Sequence, residues 1–382
     1  MDKKDFIKLK SITISGFKSF DIEAHTMGFE DISVLIGANG SGKSNLVSLF
    51  KMIGFMMTTA LQQYIGEQGG ASSLLNFGPK KTPVLSAKIV FENDDVYDNY
   101  EFSLAHAAHD SLIFTHEINS YHNKKLYDTS KQWTLPTGTK ESGLALNVLK
   151  HKDYGPVKMI YKLLRKCMVY QFHDTSSTAR IRNKGYINQS DYLYHDGSNL
   201  AAFLYGLREN ERNRPYYEKI IRHIKCVFPQ FGDFKLLPDT RNENYIMLDW
   251  FMQNDLSYQL GAHQLSDGTL RFMALTALLL QPPQNLPSLI IIDEPELGLH
   301  PSAIVELASM IKMASQYVQI ILATQSPVML DEFSPEHITV IERDPLSKSS
   351  TFKKFTKEDL KDWLDDYTLS ELWDKNILGG TP

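Results

Sequence analysis

Cysteine is almost missing from this chain of 382 residues: Cys167 and Cys226 stand far apart, with no metal-ligand spacing around either. That excludes a disulfide scaffold or a zinc ribbon and fits reduced thiols. No stretch reaches the ~18 uninterrupted apolar residues of a membrane span, and the best run, Ala274 to Leu280, is stopped by Gln281-Pro-Pro. Residues Met1 to Asp5 lack the apolar core of a signal peptide, so a cytoplasmic protein without a membrane partner is expected. Basic excess is absent too. With a net charge of −5, sequence-independent nucleic-acid binding cannot dominate, because it needs a basic footprint. The twelve histidines form no metal pattern, and there is no repeat or low-complexity tract. What remains is ordinary globular composition, 42% hydrophobic and 22% charged, long enough for a large core and one or two domains.

Against that background, Gly37 to Ser44 (GANGSGKS) fits the phosphate-binding pattern G-x-x-x-x-G-K-[ST]. It follows the apolar run Ile32 to Ile36 and precedes the amphipathic stretch Asn45 to Met57, which reads as strand, loop, helix. Glycines let such a loop aim successive N–H groups at one anion while the helix offers its positive end. The residues expected around a triphosphate are Asn39, Gly40, Ser41, Gly42, Lys43, Ser44 and Asn45. Lys43 should reach the β- and γ-phosphates, and the Ser44 hydroxyl should coordinate Mg²⁺.

Ser288 to Ile292 reads as a buried parallel strand, and it ends in Asp293-Glu294. Ligands of open α/β sheets sit outside the carboxyl ends of strands, so Asp293 is the second metal candidate and Glu294 the general base for water. An acidic turn after a core strand is the alternative reading. Lys18 is a further candidate for a base or phosphate contact, or else an exposed turn lysine.

Leu265-Ser-Asp-Gly-Thr-Leu-Arg271, leading into the apolar helix Phe272 to Leu280, resembles the signature motif of ABC-type ATPases. In that superfamily two heads pair head-to-tail, and the signature serine and glycine of one cap the γ-phosphate held by the other. Ser266 and Gly268 stand at those positions; Ser266 or Asp267 acting simply as a helix N-cap is the alternative. Asp293 to Pro301 looks like the DEPE…LHP form of RecF-like, SMC-like and OLD-type ATPases, and Ile12 to Phe20 resembles the opening strands of RecF and SMC heads. Gln68-Gly-Gly before the strand-like Leu85 to Phe91 is similar to the SMC Q-loop region. This nominates Gln68 for the metal and the attacking water, with Gln62 and Gln63 as alternatives. The signature core, Ala323-Thr-Gln-Ser-Pro327 and the tail Leu369 to Trp373 with Leu378-Gly-Gly380 resemble small stand-alone ATPases of the AAA_21 type.

The resemblance implies an α/β fold, a P-loop NTPase head of ABC type with a mixed β-sheet flanked by helices. It also implies an ATPase using ATP and Mg²⁺ that forms a head-to-tail homodimer and switches a partner, such as a nuclease or DNA, in repair or anti-phage defence. His300 falls where the D-loop of such dimers runs, although a histidine before an N1 proline also simply starts a helix. Gln325 stands where ABC ATPases usually carry a switch histidine, and a glutamine cannot hold a proton as imidazolium does. Slow hydrolysis is expected, and a nucleotide-gated scaffold with little turnover is the competing function.

The expected division is residues 1–95 for the N-terminal part of the head, 96–255 for an inserted lobe, 256–345 for the C-terminal part of the head and 346–382 for a helical tail. SMC-like relatives place a coiled coil at the insertion. Here prolines and glycines such as Pro136, Gly155, Pro215 and Pro238 interrupt any heptad, so a compact α-rich lobe is expected instead. Within it Val157 to Val169 looks helical and Leu112 to Ile118 strand-like. A basic region (Lys150, Lys152, Lys158, Lys162, Arg165 and Lys166, then Arg180, Arg182 and Lys184) is interleaved with Tyr161, Tyr170, Phe172 and Tyr186. It reads either as a nucleic-acid surface or as a solvated helix face.

Overall fold

The computed structural model describes residues 7–150 and 155–380. Strands β1 (Lys8–Ser15) and β2 (His25–Gly28) pair antiparallel, and β3 (Ile32–Ile36) follows, buried at every residue. The loop after β3 leads into α1 (Lys43–Met57), then α2 (Leu61–Glu67) and the long strands β4 (Val84–Glu92), β5 (Val96–Ala107) and β6 (Ser111–Asn123), with β7 (Lys131–Thr134) at the edge. Together β2-β1-β4-β5-β6-β7 make one antiparallel sheet.

Helices α3 (Gly143–Lys150) and α4 (Gly155–Arg165) bring the chain to β8 (Cys167–Tyr170). A lobe follows, made of β9 (Gly185–Tyr186), α5 (Leu200–Glu209), α6 (Arg214–Val227), β10 (Phe231–Lys235), β11 (Pro238–Asp239), β12 (Asn242–Ile246), β13 (Asp249–Met252) and β14 (Asp255–Gly261). The chain then returns through α7 (Asp267–Leu280), β15 (Leu289–Asp293), α8 (Pro301–Ala314), β16 (Gln319–Ala323), α9 (Pro327–Asp331), β17 (Ile338–Arg343) and β18 (Ser350–Lys354), and ends with α10 (Lys361–Leu364) and α11 (Leu369–Asp374). The second six-stranded sheet runs β18-β17-β3-β16-β15-β8 and is parallel except for β18.

The parallel strands are apolar throughout because both faces are covered. Val34, Ile36, Ile290, Ile292, Ile320 and Leu322 face one core with α7 and α8, while Leu35, Leu289, Ile291, Ile321 and Ala323 face the other with α1 and the antiparallel sheet. Helix α1 lies between the two sheets and buries Leu46, Leu49, Phe50, Met52, Ile53, Met56 and Met57. Each such side chain contributes roughly 1.5–3 kcal/mol relative to exposure.

The structure redraws three expectations. The boundary at residue 95 falls inside a sheet, since β4 and β5 pair from Val84↔Ala105 to Glu92↔Tyr97. The helix expected over Val157 to Val169 stops at Arg165, and Cys167–Tyr170 turns into a strand paired with β15. Only the stretch between β8 and α7 stands apart from the two large sheets. The tail after residue 345 is not wholly helical, because Ser350–Lys354 forms the edge strand of the parallel sheet. In the second case a partner strand distant in sequence supplies the hydrogen bonds that local pattern could not reveal, whereas β4 with β5 and β17 with β18 are hairpins of neighbouring strands.

The antiparallel sheet also buries an unusual carboxylate. Asp98 is fully buried, accepts one bond from Asn119 Nδ2 at 2.7 Å, and its Oδ2 has no partner among the described residues. Burial pushes its pKa up to about 7, against the smaller downward pull of Asn119. The folded state therefore keeps the proton where the unfolded chain has lost it, and stability falls as pH rises from about 4 through 7. Asp98→Asn is expected to raise the thermal midpoint at pH 8, with an upper bound of roughly 4 kcal/mol. The gain should vanish below pH 4; a gain independent of pH in thermal melts would show that Asp98 carries no such penalty.

Candidate functional site

Four adjacent parallel strands, β3, β16, β15 and β8, present their carboxyl ends side by side. The first feeds the loop Gly37 to Ser44. Gly42, with φ 123°, is the N-cap of α1, and a Cβ there would collide with Ser350 Oγ. Only glycine satisfies both demands. Lys43 folds back so that Nζ donates to the carbonyls of Gly37 and, at 3.1 Å, Ala38. Its pKa is lowered by burial, while Glu294, Asp293 and Glu296 pull it the other way. Ser41 Oγ is buried with no partner among the described residues, and Ser44 is exposed at the helix start. Asn45 Nδ2 donates to Ser19 Oγ at 2.7 Å, which ties the loop to the end of β1.

At the end of β15, Asp293 is buried and its pKa is raised, mainly by desolvation. Gln171, the residue after β8, donates from Nε2 to Asp293 Oδ2 at 2.8 Å, and His173 Nε2 donates to the Asp293 carbonyl at 2.9 Å. Glu294 has φ 47°, a left-handed backbone that is costly for this residue type, and its N–H is held by Ala323 O at 2.8 Å. Beyond β16, the Gln325 backbone N–H donates to Glu296 Oε1 at 3.0 Å, and its side-chain Nε2 donates to Asn39 Oδ1 at 2.7 Å. Burial raises the pKa of Glu296. The loop of β3, Gln325, the acidic pair and Gln171 are thus physically joined.

Gln68 is not part of that group. It caps the C-terminus of α2, exposed, and its Oε1 accepts from Lys18 Nζ at 3.2 Å. Lys18 Nζ also donates to Ser48 Oγ at 2.6 Å, and burial lowers its pKa with Lys51 adding to the effect. Gln62 bonds Leu112 and Lys140 carbonyls and Gln63 bonds Glu67, so neither alternative reaches Asp293. The residue on Asp293 is Gln171, which the sequence reading missed. Its signal was present: a polar Gln-Phe-His-Asp directly after the short apolar run Cys167 to Tyr170, whose last residue pairs with Ile292 beside Asp293.

At the signature, Ser266 is an exposed N-cap of α7, accepting from Thr269 N at 3.1 Å. A Cβ on Gly268 would strike the Gly298 carbonyl oxygen, so this glycine is required by close packing. Asp267 pairs with the buried Arg182 at 2.7 Å. His300 caps α8, accepting from Ser302 N at 3.3 Å. The basic region divides: Lys158, Lys162, Arg165, Lys166, Arg180 and Lys184 are exposed, but Arg182, Tyr161, Tyr170 and Phe172 are buried. The interleaved aromatics thus mostly serve the core rather than a stacking surface, and Lys152 lies outside the described residues. Among the described residues, no cluster of three or more His, Cys, Asp or Glu could hold a metal, and no helix is long and apolar enough to cross a membrane.

No curated protein matches the sequence. A solved SMC head bound to the C-winged helix domain of ScpA aligns with a TM-score of 0.58 at 15% identity, covering 93% of this chain and 99% of that one. An SMC head with an extended coiled coil from Pyrococcus furiosus, bound to the C-terminal domain of ScpA, gives 0.53 at 16%, covering 94% and 99%. An SMC head with a coiled coil and joint from Pyrococcus yayanosii gives 0.50 at 11%, with the same coverage. At such identities the likeness is one of fold, that of a P-loop ATPase head. The sequence model described as "AAA domain, putative AbiEii toxin, Type IV TA system" matches residues 32–153 and 170–331. With three quarters of its length matched, the chain belongs to this AAA_21 family of ATPase domains, and its fold is that of an SMC head.

Proposed function

We propose that the protein hydrolyses ATP at the ends of β3, β16, β15 and β8, and that two copies pair head-to-tail around the nucleotide to switch a partner. The observation that carries the reading is the alignment of phosphate loop, Gln325, Asp293-Glu294 and Gln171 on those four neighbouring strands. Lys43 leaves the loop carbonyls for the β- and γ-phosphates, and backbone N–H groups from Gly40 to Asn45 hold the phosphate oxygens. Ser44, Asp293 and Gln171 offer a hydroxyl, a carboxylate and an amide, a hard oxygen set that suits Mg²⁺. Such an ion would neutralise charge on the phosphates. Glu294 takes a proton from water as that water attacks the γ-phosphorus, and the bond to the β–γ bridging oxygen breaks, releasing ADP and phosphate. Gln325, already bonded to Asn39, orients the water or the γ-phosphate.

Ser266 and Gly268 of the second copy would complete the site, with His300 beside them. In this chain Ser266 is exposed, and among the described residues its hydroxyl bonds only Thr269. Residues 171–261 then form the lobe that passes the motion on. Two of the SMC heads named above are bound to a domain of ScpA, which supports a protein partner, and the family description supports a toxin or defence role; a nuclease or DNA as the object switched follows only from the resemblance in sequence. Light scattering on Glu294→Gln protein tests the pairing. The mass should double with ATP and Mg²⁺, and Ser266→Arg should abolish the doubling; an unchanged mass in the single variant would defeat the shared-site reading.

Gln325 favours a second reading, a nucleotide-gated scaffold, because an amide at the switch position cannot relay a proton. Turnover separates the two.

A further inference from the structure

Helix α1 carries Ser44, Ser48 and Lys51 at positions i, i+4 and i+7, so all three line one face running inward from the phosphate loop. Helix α1 packs on β8. Ser48 is engaged by Lys18 and Tyr64, and Lys51 Nζ donates to Gln171 Oε1. Gln171 in turn donates from Nε2 to Asp293 Oδ2 at 2.8 Å. Lys51 is half-buried, and no carboxylate among the described residues forms an ion pair with it. Burial lowers its pKa, and Asp293 is the charge that opposes this.

The chemistry of the two ends fixes the amide between them. An ammonium only donates and an ionised carboxylate only accepts, so Gln171 must turn its oxygen to Lys51 and its NH₂ to Asp293. That orientation is wrong for a divalent cation, which needs the amide oxygen on the carboxylate side.

We propose that Lys51 is a positioning residue that controls metal loading: it holds Gln171 by the amide oxygen and keeps a positive charge near Asp293 until a cation displaces both. The proposal rests on the reading that Asp293 and Gln171 hold the nucleotide's metal. Binding of the cation then becomes an exchange. The Gln171 amide turns over, the Lys51 bond breaks, and the ammonium is left beside a second positive charge. Lys51 therefore lowers the gain in nucleotide affinity that metal provides.

The test is a binding cycle with the fluorescent nucleotide mant-ADP, comparing affinity in millimolar Mg²⁺ with affinity in EDTA for each variant, which measures the coupling between metal and nucleotide. Lys51→Met should raise that ratio about three- to tenfold, the order expected when one partly screened charge is removed. Lys51→Gln should move it in the same direction and serves if methionine disturbs the helix. Lys51→Arg, which keeps charge and donors, should stay within about twofold of wild type. Asp293→Asn should bring the ratio close to one. A collapsed ratio in Asp293→Asn with an unchanged or smaller ratio in Lys51→Met and Lys51→Gln overturns the role of Lys51; a wild-type ratio in Asp293→Asn overturns the metal site itself.

Discussion

Glu294→Gln should leave ATP binding within a few-fold of wild type and lower phosphate release by roughly 10²–10⁴-fold, the usual loss when a positioned base is removed. The substitution is nearly isosteric, and Glu294 is held by its backbone: the φ of 47° and the 2.8 Å bond from its N–H to Ala323 O do not depend on the carboxylate. What changes is the capacity to accept a proton. Glutamine keeps an acceptor oxygen and can still orient water, but it cannot take up the proton that attack releases. Lys43, Asp293 and Gln171 are untouched, so the phosphates keep their contacts. The measurement is steady-state phosphate release beside equilibrium binding of a fluorescent ATP analogue. Equal rates in the two proteins would remove Glu294 from the chemistry, and negligible turnover in wild type with tight binding would favour the scaffold reading.

Local sequence carried the chemistry better than it carried the architecture. The phosphate loop was legible because glycine spacing, lysine and serine are all demanded by one anion within eight consecutive residues. Asp293-Glu294 was legible because a buried parallel strand leaves a continuous apolar run that stops abruptly at charge. Gln171 was not, because its role depends on β8 lying beside β15, more than a hundred residues away in the chain, and the four-residue strand was absorbed into the helical pattern before it. The boundary expected at residue 95 falls in the turn between β4 and β5, neighbouring strands of one sheet. β5 and β6 alternate in ordinary fashion, but nothing local says that they extend the sheet begun by β1. The dense prolines and glycines beyond residue 136 argue against a coiled coil, yet they could not say where the lobe begins.

Arg271→Met should destabilise the protein by about 3 kcal/mol and lower its thermal midpoint by roughly 4 °C for a chain of this size. The guanidinium is buried and its bonds go to carbonyls: Nε donates to Phe172 O at 2.8 Å, Nη1 to Leu297 O, and Nη2 to His173 O at 3.3 Å. Burial lowers its pKa, with Asp267 and Glu294 opposing. Methionine fills the space of the stem but removes every donor: the buried Phe172 carbonyl is left unpaired at a cost of about 1–3 kcal/mol and the part-buried Leu297 carbonyl loses its partner, while His173 O keeps the bond from Thr175 N, and no longer burying a charge offsets part of the loss. Arg271→Lys should recover only part of the loss, since a point ammonium cannot span three acceptors that a planar fork reaches. The consequence for chemistry is larger than the one for stability. Arg271 lies one turn into α7 from Ser266, Phe172 and His173 follow Gln171, and Leu297 follows Glu294, so one side chain ties together the segments of the proposed signature, metal-side amide and general base. Misplacement on the ångström scale costs on the order of 10² in rate, so ATP hydrolysis should fall far more than the folded fraction does. Melting curves and turnover of the two variants at 25 °C check this together; wild-type turnover in Arg271→Met would mean that the three segments keep their spacing without the fork.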